Sequence, residues 1–362
     1  MDNKLSFFRG CLSGMAVGDA MGYTVDKKTW EQIVNDYGPN GLLGYDLVNG
    51  CADVTSYTQL AVFVCNGMLL SAFRSQPDAH QRFLAVALRE WAKSQQFRFT
   101  AEKTRCWVAQ VPQMRRRHCM DTRMLDTLTR PELGTPEKPL NNYNAPCGLT
   151  GAVAVGLAFD RKQMEPDKVG ILAAQAVAAL QGDPETFLSG AVLAYCIAGI
   201  IHAPEHTLAE QVLQAMQAVQ DQFGEQYPQT EQIRQKLERA IAMTRDSDLT
   251  PLAAMTMLGC TTASECLAGA IYAAIIHVGN FDEAMIAAVN HSGRSAAVGA
   301  MTGALLGALL GVEALPEFYL ESLEVTEILD EIAYDLAVGS RTAQIFDDNW
   351  DQKYVQGMPV GL

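Results

Sequence analysis

Apolar positions along this chain recur at helical spacing, and strand-like alternation is scarce. Residues 207–245 read as two amphipathic helices joined around Tyr227-Pro228. Their polar faces are rich in Gln and Glu, as on the outside of a bundle. Segments 148–159, 169–181, 186–202, 262–278 and 296–311 are Ala-rich and apolar nearly all round, which places them at the centre. Start signals punctuate the pattern. Asp183-Pro184 and Thr250-Pro251 put proline in a first turn behind a capping residue. Thr207-x-x-Glu210 and Asn280-x-x-Glu283 resemble capping boxes. Two stretches break the helical run: 36–54, with four glycines, and 130–147, with four prolines and three asparagines. Both read as loops, and in an enzyme the second would border the pocket. No short repeat or low-complexity linker divides the chain, so the pattern predicts one compact all-α domain over 1–362.

One helix carries an unusual stripe. Gly299, Gly303, Gly307 and Gly311 recur every four residues and so share a face. Each glycine costs roughly 1 kcal/mol in a helix interior relative to alanine. Close approach of another backbone is the usual compensation, so Gly303 and Gly307 are expected to lie against a neighbouring helix.

Composition narrows the function classes. With 49% apolar residues in 362, a large core is available. A net charge of −14, from 27 basic and 41 acidic residues, argues against a nucleic-acid footprint. The one dense basic run, Arg115-Arg116-Arg117-His118, reads as a solvated helix face. Nine cysteines without a C-x-x-C read as buried free thiols in a reducing compartment, hence a cytoplasmic location. The first apolar stretch carries Arg9 and Asp19, unlike a secretory leader. Segments 296–312 and 186–204 approach bilayer-spanning length but lack aromatic belts with basic flanks, so they read as core helices.

Three motifs together resemble the ADP-ribosylglycohydrolase family. Residues 289–311, VNHSGRSAAVGAMTGALLGALLG, are similar to that family's C-terminal signature, roughly V-N-x-G-G-D-T-D-T-x-G-A-x-x-G-A-x-x-G-A. Phe8 to Asp26, FRGCLSGMAVGDAMGYTVD, resembles its N-terminal pattern R-G-x-L-x-G-x-A-x-G-D-A-x-G-x-x-x-E. Cys51 to Leu70 resembles the segment built on S/T-D-D-T-Q. The tract from Leu258 to Tyr272 and the pair Leu315-Pro316 follow in the expected order, so the likeness spans about residues 8–340. It implies an orthogonal multi-helix fold and, in the family, hydrolysis of ADP-ribosyl bonds with two magnesium ions held by carboxylates.

The departures fall on those carboxylates. Thr55-Ser56-Tyr57-Thr58 stands where the family has Thr-Asp-Asp-Thr, and Gly293-Arg294-Ser295-Ala296-Ala297 where it has Gly-Asp-Thr-Asp-Thr. Asp26 replaces the glutamate ending the first motif. Magnesium requires octahedral oxygen ligation with at least one or two carboxylates, and Arg294 brings a fixed positive charge to a ligand position. The expectation is no metal cofactor, with Asp19 and Asp26 as remnants of the catalytic wall. Asp19 also reads as a cap or a buried hydrogen-bonding carboxylate. The Thr55–Thr58 hydroxyls would hold sugar or phosphate oxygens, or cap a helix beginning near Gln59. Gly293, Arg294 and Ser295 form a helix start that favours anions, and an ion pair from Arg294 to Asp19 or Asp26 is expected there.

Other candidates carry less. His202 and His206 have zinc-helix spacing, but Pro204 lies between them and no third ligand is visible. The family's substrate-lining arginine is missing from Gly148-Leu149-Thr150-Gly151, and its Thr-His pair is Leu180-Gln181. No Ser-His-Asp or Cys-His set declares itself. The resemblance therefore points to a binding protein that has lost magnesium-dependent hydrolysis. Its partner would be an ADP-ribose-like ligand or an ADP-ribosyltransferase, for instance in immunity or regulation. The alternatives are an active hydrolase removing ADP-ribose from a protein or small molecule, and a purely structural subunit.

Overall fold

The computed structural model describes residues 2–72, 78–101, 104–118, 121–159, 164–343 and 348–355. The first half runs α1 (Asp2–Val25), α2 (Trp30–Tyr37), α3 (Ser56–Ser71), α4 (Ala79–Ser94), α5 (Arg123–Leu128), α6 (Leu149–Ala158) and α7 (Asp167–Ala178). It continues with α8 (Pro184–His202), α9 (Leu208–Phe223), α10 (Gln229–Met243), α11 (Pro251–Leu258) and α12 (Ala263–Ile276). Then come α13 (Phe281–Val289), α14 (Ser295–Leu310), α15 (Glu317–Ser322), α16 (Thr326–Ala343) and a single turn, α17 (Asp348–Trp350). Extended pairing among the described residues is limited to the isolated bridges Val48–Cys51 and Ala52–Leu323.

The start signals act as their chemistry requires. Asp183 accepts from the Glu185 amide ahead of α8, and Pro184 occupies its first turn. Thr207 and Glu210 close a reciprocal box on α9. Thr250 caps α11 and Asn280 caps α13. The paired amphipathic helices are α9 and α10, with Tyr227-Pro228 at their junction. Segments 36–54 and 130–147 contain no α-helix beyond the end of α2. The second is no mere surface loop, because Ala145, Pro146 and Cys147 are buried.

At the centre α1 and α14 lie antiparallel, with glycines on both contact faces. A Cβ built at Gly303 would lie 1.9 Å from the Gly14 carbonyl oxygen, and one at Gly307 the same distance from that of Gly10. Gly299 meets Gly18 at 2.3 Å, and Gly22 faces the Ser295 carbonyl at 2.4 Å. No real side chain tolerates such distances, so the stripe on α14 is one half of a two-sided contact. Gly10, Gly14, Gly18 and Gly22 supply the other half at the same spacing. Nearly all of α14 is buried, as are α3 and α6, and one hydrophobic cluster runs through these helices, α8 and α12.

Among the described residues one helix, Pro184–His202, is long and apolar enough to cross a membrane, and 72% of its apolar window is buried inside the protein. His202 hydrogen-bonds the Phe159 carbonyl at 3.0 Å, and His206 lies beyond the helix end, so the two do not form a ligand pair. Eight of the nine cysteines are free thiols, and Cys119 lies outside the described residues.

Candidate functional site

The close contact of α1 and α14 brings both ends of the resemblance together at one place. Asp19 sits near the end of α1 and is fully buried. Its carboxylate accepts four hydrogen bonds from the start of α3. Oδ1 takes the Thr55 hydroxyl at 2.7 Å. Oδ2 takes the Thr55 amide at 2.8 Å, the Thr58 amide at 3.1 Å and the Thr58 hydroxyl at 2.7 Å. Asp19 thus caps α3 from another helix, satisfying amides that a helix start leaves open. Helix α3 begins at Ser56 rather than near Gln59, and Thr55 is its own N-cap, accepting from the Tyr57 amide.

Asp26, just beyond α1, does the same for α14. Its Oδ1 accepts from the Ala296 amide at 3.2 Å. The two carboxylates expected as catalytic remnants therefore hold two helix N-termini. Burial raises the pKa of Asp26, against the Arg294 charge and the Ala296 amide.

The tips of α3 and α14 are neighbours through Tyr57 and Arg294. Arg294 does not reach Asp19, whose oxygens are already occupied. Its Nε lies 3.9 Å from Asp26 Oδ2, an ion-pair distance beyond hydrogen bonding, and neither atom has a hydrogen-bond partner among the described residues. The guanidinium instead donates from Nη2 to Cys147 Sγ at 3.3 Å and lies against the Tyr57 hydroxyl, which is 3.8 Å from the same sulfur. Cys147 and Tyr57 are both held protonated by burial. The guanidinium side chain keeps 18% exposure, whereas Asp26 keeps 3%. Arg294 is thus the charged group of this cluster that faces outward.

Cys147 is a member that sequence reasoning missed. It reaches the cluster because the 130–147 loop turns inward ahead of α6, where the Gly148 amide donates to Gln181 Oε1 at 2.8 Å. Gln181 occupies the place of the family's histidine and holds this turn. Asp121 also lies near enough to feel the Arg294 charge, and its carboxylate is chelated by Arg123. Other expected ligand residues take part in bonds of their own. The Thr55 and Thr58 hydroxyls are spent on Asp19, and the Ser56 amide donates to the His118 carbonyl at 3.1 Å. Ser295 Oγ bonds the His291 carbonyl at 3.4 Å, and the Gly293 carbonyl accepts from the Lys27 amide at 2.9 Å.

This donor set suits magnesium poorly. Asp19 is taken up by Thr55 and Thr58 and Asp121 by Arg123, which leaves Asp26 facing a guanidinium, one thiol and one phenol, whereas a hard dication asks for several oxygen anions. Among the described residues no three His, Cys, Asp or Glu side chains group as metal ligands.

His291 and Asp19 give the site region a pH signature. His291 is 1% exposed, its Nε2 donates to the Ala288 carbonyl at 3.1 Å, and burial pushes its pKa down from 6.5 to about 4. The unfolded chain binds this proton more readily, so the His291 contribution is present above pH 6.5 and lost as pH falls through 4. Burial pushes Asp19 the other way, from 3.8 up to about 6, with the Thr55 and Thr58 bonds opposing. Its contribution is present below 3.8 and lost as pH rises through 6. The two oppose one another between about pH 4 and 6. Denaturant melts of wild type and His291→Gln should therefore diverge. The wild type should gain about 3 kcal/mol relative to the variant between pH 4 and 6.5, at 1.36 kcal/mol per unit. Parallel curves would show that His291 is not buried neutral.

The family model for ADP-ribosylglycohydrolase matches residues 1–345. A solved structure described as an "ADP-ribosylglycohydrolase-related protein complex" superposes with a TM-score of 0.58 at 22% identity, covering 93% of this chain and 98% of that chain. At that identity the likeness speaks for the fold alone, which is the helical ADP-ribosylglycohydrolase type. No curated protein matches the chain. With the family model spanning nearly the whole sequence, the chain belongs to the ADP-ribosylglycohydrolase family.

Proposed function

We propose that this chain binds an ADP-ribose-like ligand at the junction of α3 and α14 and does not carry out magnesium-dependent hydrolysis. Its role would be immunity or regulation against an ADP-ribosyltransferase, in the cytoplasm. The observation behind this reading is the placement of Arg294. Its guanidinium sits between Asp26, Tyr57 and Cys147, on the segment where family members carry metal carboxylates. A guanidinium there supplies a permanent positive charge toward phosphate oxygens, a task a metal ion performs elsewhere. Tyr57 and Cys147, both fully buried, fill space beside it.

Calorimetry with ADP-ribose, with and without magnesium, tests the proposal. Binding should be indifferent to magnesium and at least tenfold weaker in Arg294→Ala. Release of ADP-ribose from modified arginine should stay at background. Magnesium binding accompanied by turnover at an ordinary enzymatic rate would overturn the reading. Reinstating aspartate at Ser56, Tyr57, Arg294 and Ala296 together should make thermal stability depend on manganese. Four carboxylates at these sites repel one another until a cation binds. A single replacement should not do so.

A second reading, hydrolysis without metal, rests on Asp26. Its Oδ2 is buried without a hydrogen-bond partner among the described residues, and burial favours its protonated form, as a general acid needs. Turnover that persists in chelator and is lost in Asp26→Asn would favour it.

A further inference from the structure

The basic residues of this acidic chain are not spread evenly. A cleft of about 610 Å³ lies between the C-terminal half of α4, residues 98–100 with Thr104, and the segment following α5. Arg89, Lys93, Arg98 and Arg130 line it, against one acid, Glu90. In a protein of net charge −14 the opposite balance is expected.

Glu90 can offset only one of these four positive charges. It is 7% exposed, and its oxygens accept from the Arg105 amide at 2.9 Å and the Cys106 amide at 2.8 Å. Arg89 is half-buried and anchored by donating to the Arg130 and Pro131 carbonyls, which fixes one wall. Lys93 lies one turn further along α4, and Arg98 and Arg130 are exposed. Among the described residues none of these four cations forms an ion pair. Glu102 and Lys103 lie outside the described residues, and their formal charges cancel. Phe99, half-buried, contributes a flat apolar wall.

A cleft lined by one sign of charge concentrates counter-ions. Its volume lies in the range of small-molecule sites. Cations suit phosphate oxygens, and an aromatic wall suits a planar ring. We infer that this cleft is a second binding site, separate from the Arg294 cluster, for an organic polyphosphate of nucleoside diphosphate size. Arg89 and Lys93 would hold the phosphates from α4, Arg98 and Arg130 would close on them from the loops, and Phe99 would receive the base.

The inference stands apart from the Arg294 reading, and titrations of the full chain separate the two. Calorimetry with ADP, inorganic pyrophosphate and adenosine is expected to rank them in that order. Doubling of the ionic strength should weaken the two anions and leave adenosine unchanged. Lys93→Glu with Arg98→Glu should remove one ADP-binding event or weaken it at least tenfold. Both side chains are exposed, so circular dichroism should show an unchanged fold. Single Lys93→Gln and Arg98→Gln variants should each weaken ADP several-fold. Arg294→Ala should retain this event within twofold. An ADP titration of the double variant indistinguishable from wild type would overturn the inference, as would absence of any ADP binding at millimolar concentration. Pyrophosphate binding as tight as ADP would overturn the role of Phe99.

Discussion

Gly303→Leu should unfold the protein or cost it about 3 kcal/mol or more, the upper end of what overpacking a tight site costs. A Cβ there would meet the Gly14 carbonyl oxygen at 1.9 Å, and the obstacle is backbone, which cannot swing aside as a side chain tip does. Gly303→Ala should already be harmful. Gly44→Ala is the control, since a Cβ at Gly44 meets nothing within 4 Å. Thermal unfolding of the three variants decides the matter. A Gly303→Leu melt matching that of Gly44→Ala would mean that α1 and α14 are not in backbone contact.

Asp19 should be the next most sensitive position. Asp19→Ala leaves four buried donors at the head of α3 without an acceptor, two of them backbone amides. Each stranded donor costs on the order of 1–3 kcal/mol, and partial relaxation makes about 4 kcal/mol a fair total. Asp19→Asn should cost only about 1–2 kcal/mol. Its amide oxygen, placed at the Oδ2 position, keeps three of the donors. The Thr55 hydroxyl can turn to accept from the new NH2 group. Denaturant melts that rank the two variants equally would refute the capping role.

These two positions illustrate what could be read from the chain. The stripe of Gly299, Gly303 and Gly307 was legible because glycine inside a helix is unfavourable unless something is gained, and a four-residue spacing leaves one face for the gain. Helix starts were legible because a cap is a local event, and Thr29-x-x-Gln32, which closes a reciprocal box on α2, is an equally readable example. The ion pair of Arg294 with Asp26 was legible from charge, whereas its hydrogen bond to Cys147 was not. Charge alone nominated Asp19 and Asp26. The choice between them and Cys147 depended on which oxygens were already occupied and on how far a loop turned inward. Cys147 carries no spacing signal toward Arg294. The one hint was its place at the head of a segment that lines the substrate site in the family. The sequence around Asp19 allows either a remnant of catalysis or a buried hydrogen-bonding carboxylate. Its use as a cap reached from another helix is a tertiary fact.

The glycine contact has a further consequence, for how the chain acquires its shape. Gly10 meets Gly307 and Gly14 meets Gly303, so the central joint closes a loop of nearly the full chain length. Contacts of such long range form late, because the entropy of loop closure precedes any reward from the contact. On a ribosome adding roughly 5–20 residues per second, α1 emerges and then waits on the order of 15–60 s for α14 to be made. During that time its glycine face has no backbone to rest on, and the apolar side chains beside it are open to other surfaces. Nascent α1 therefore has reason to engage a chaperone during that wait, and the yield of folded protein should fall under conditions that lengthen it.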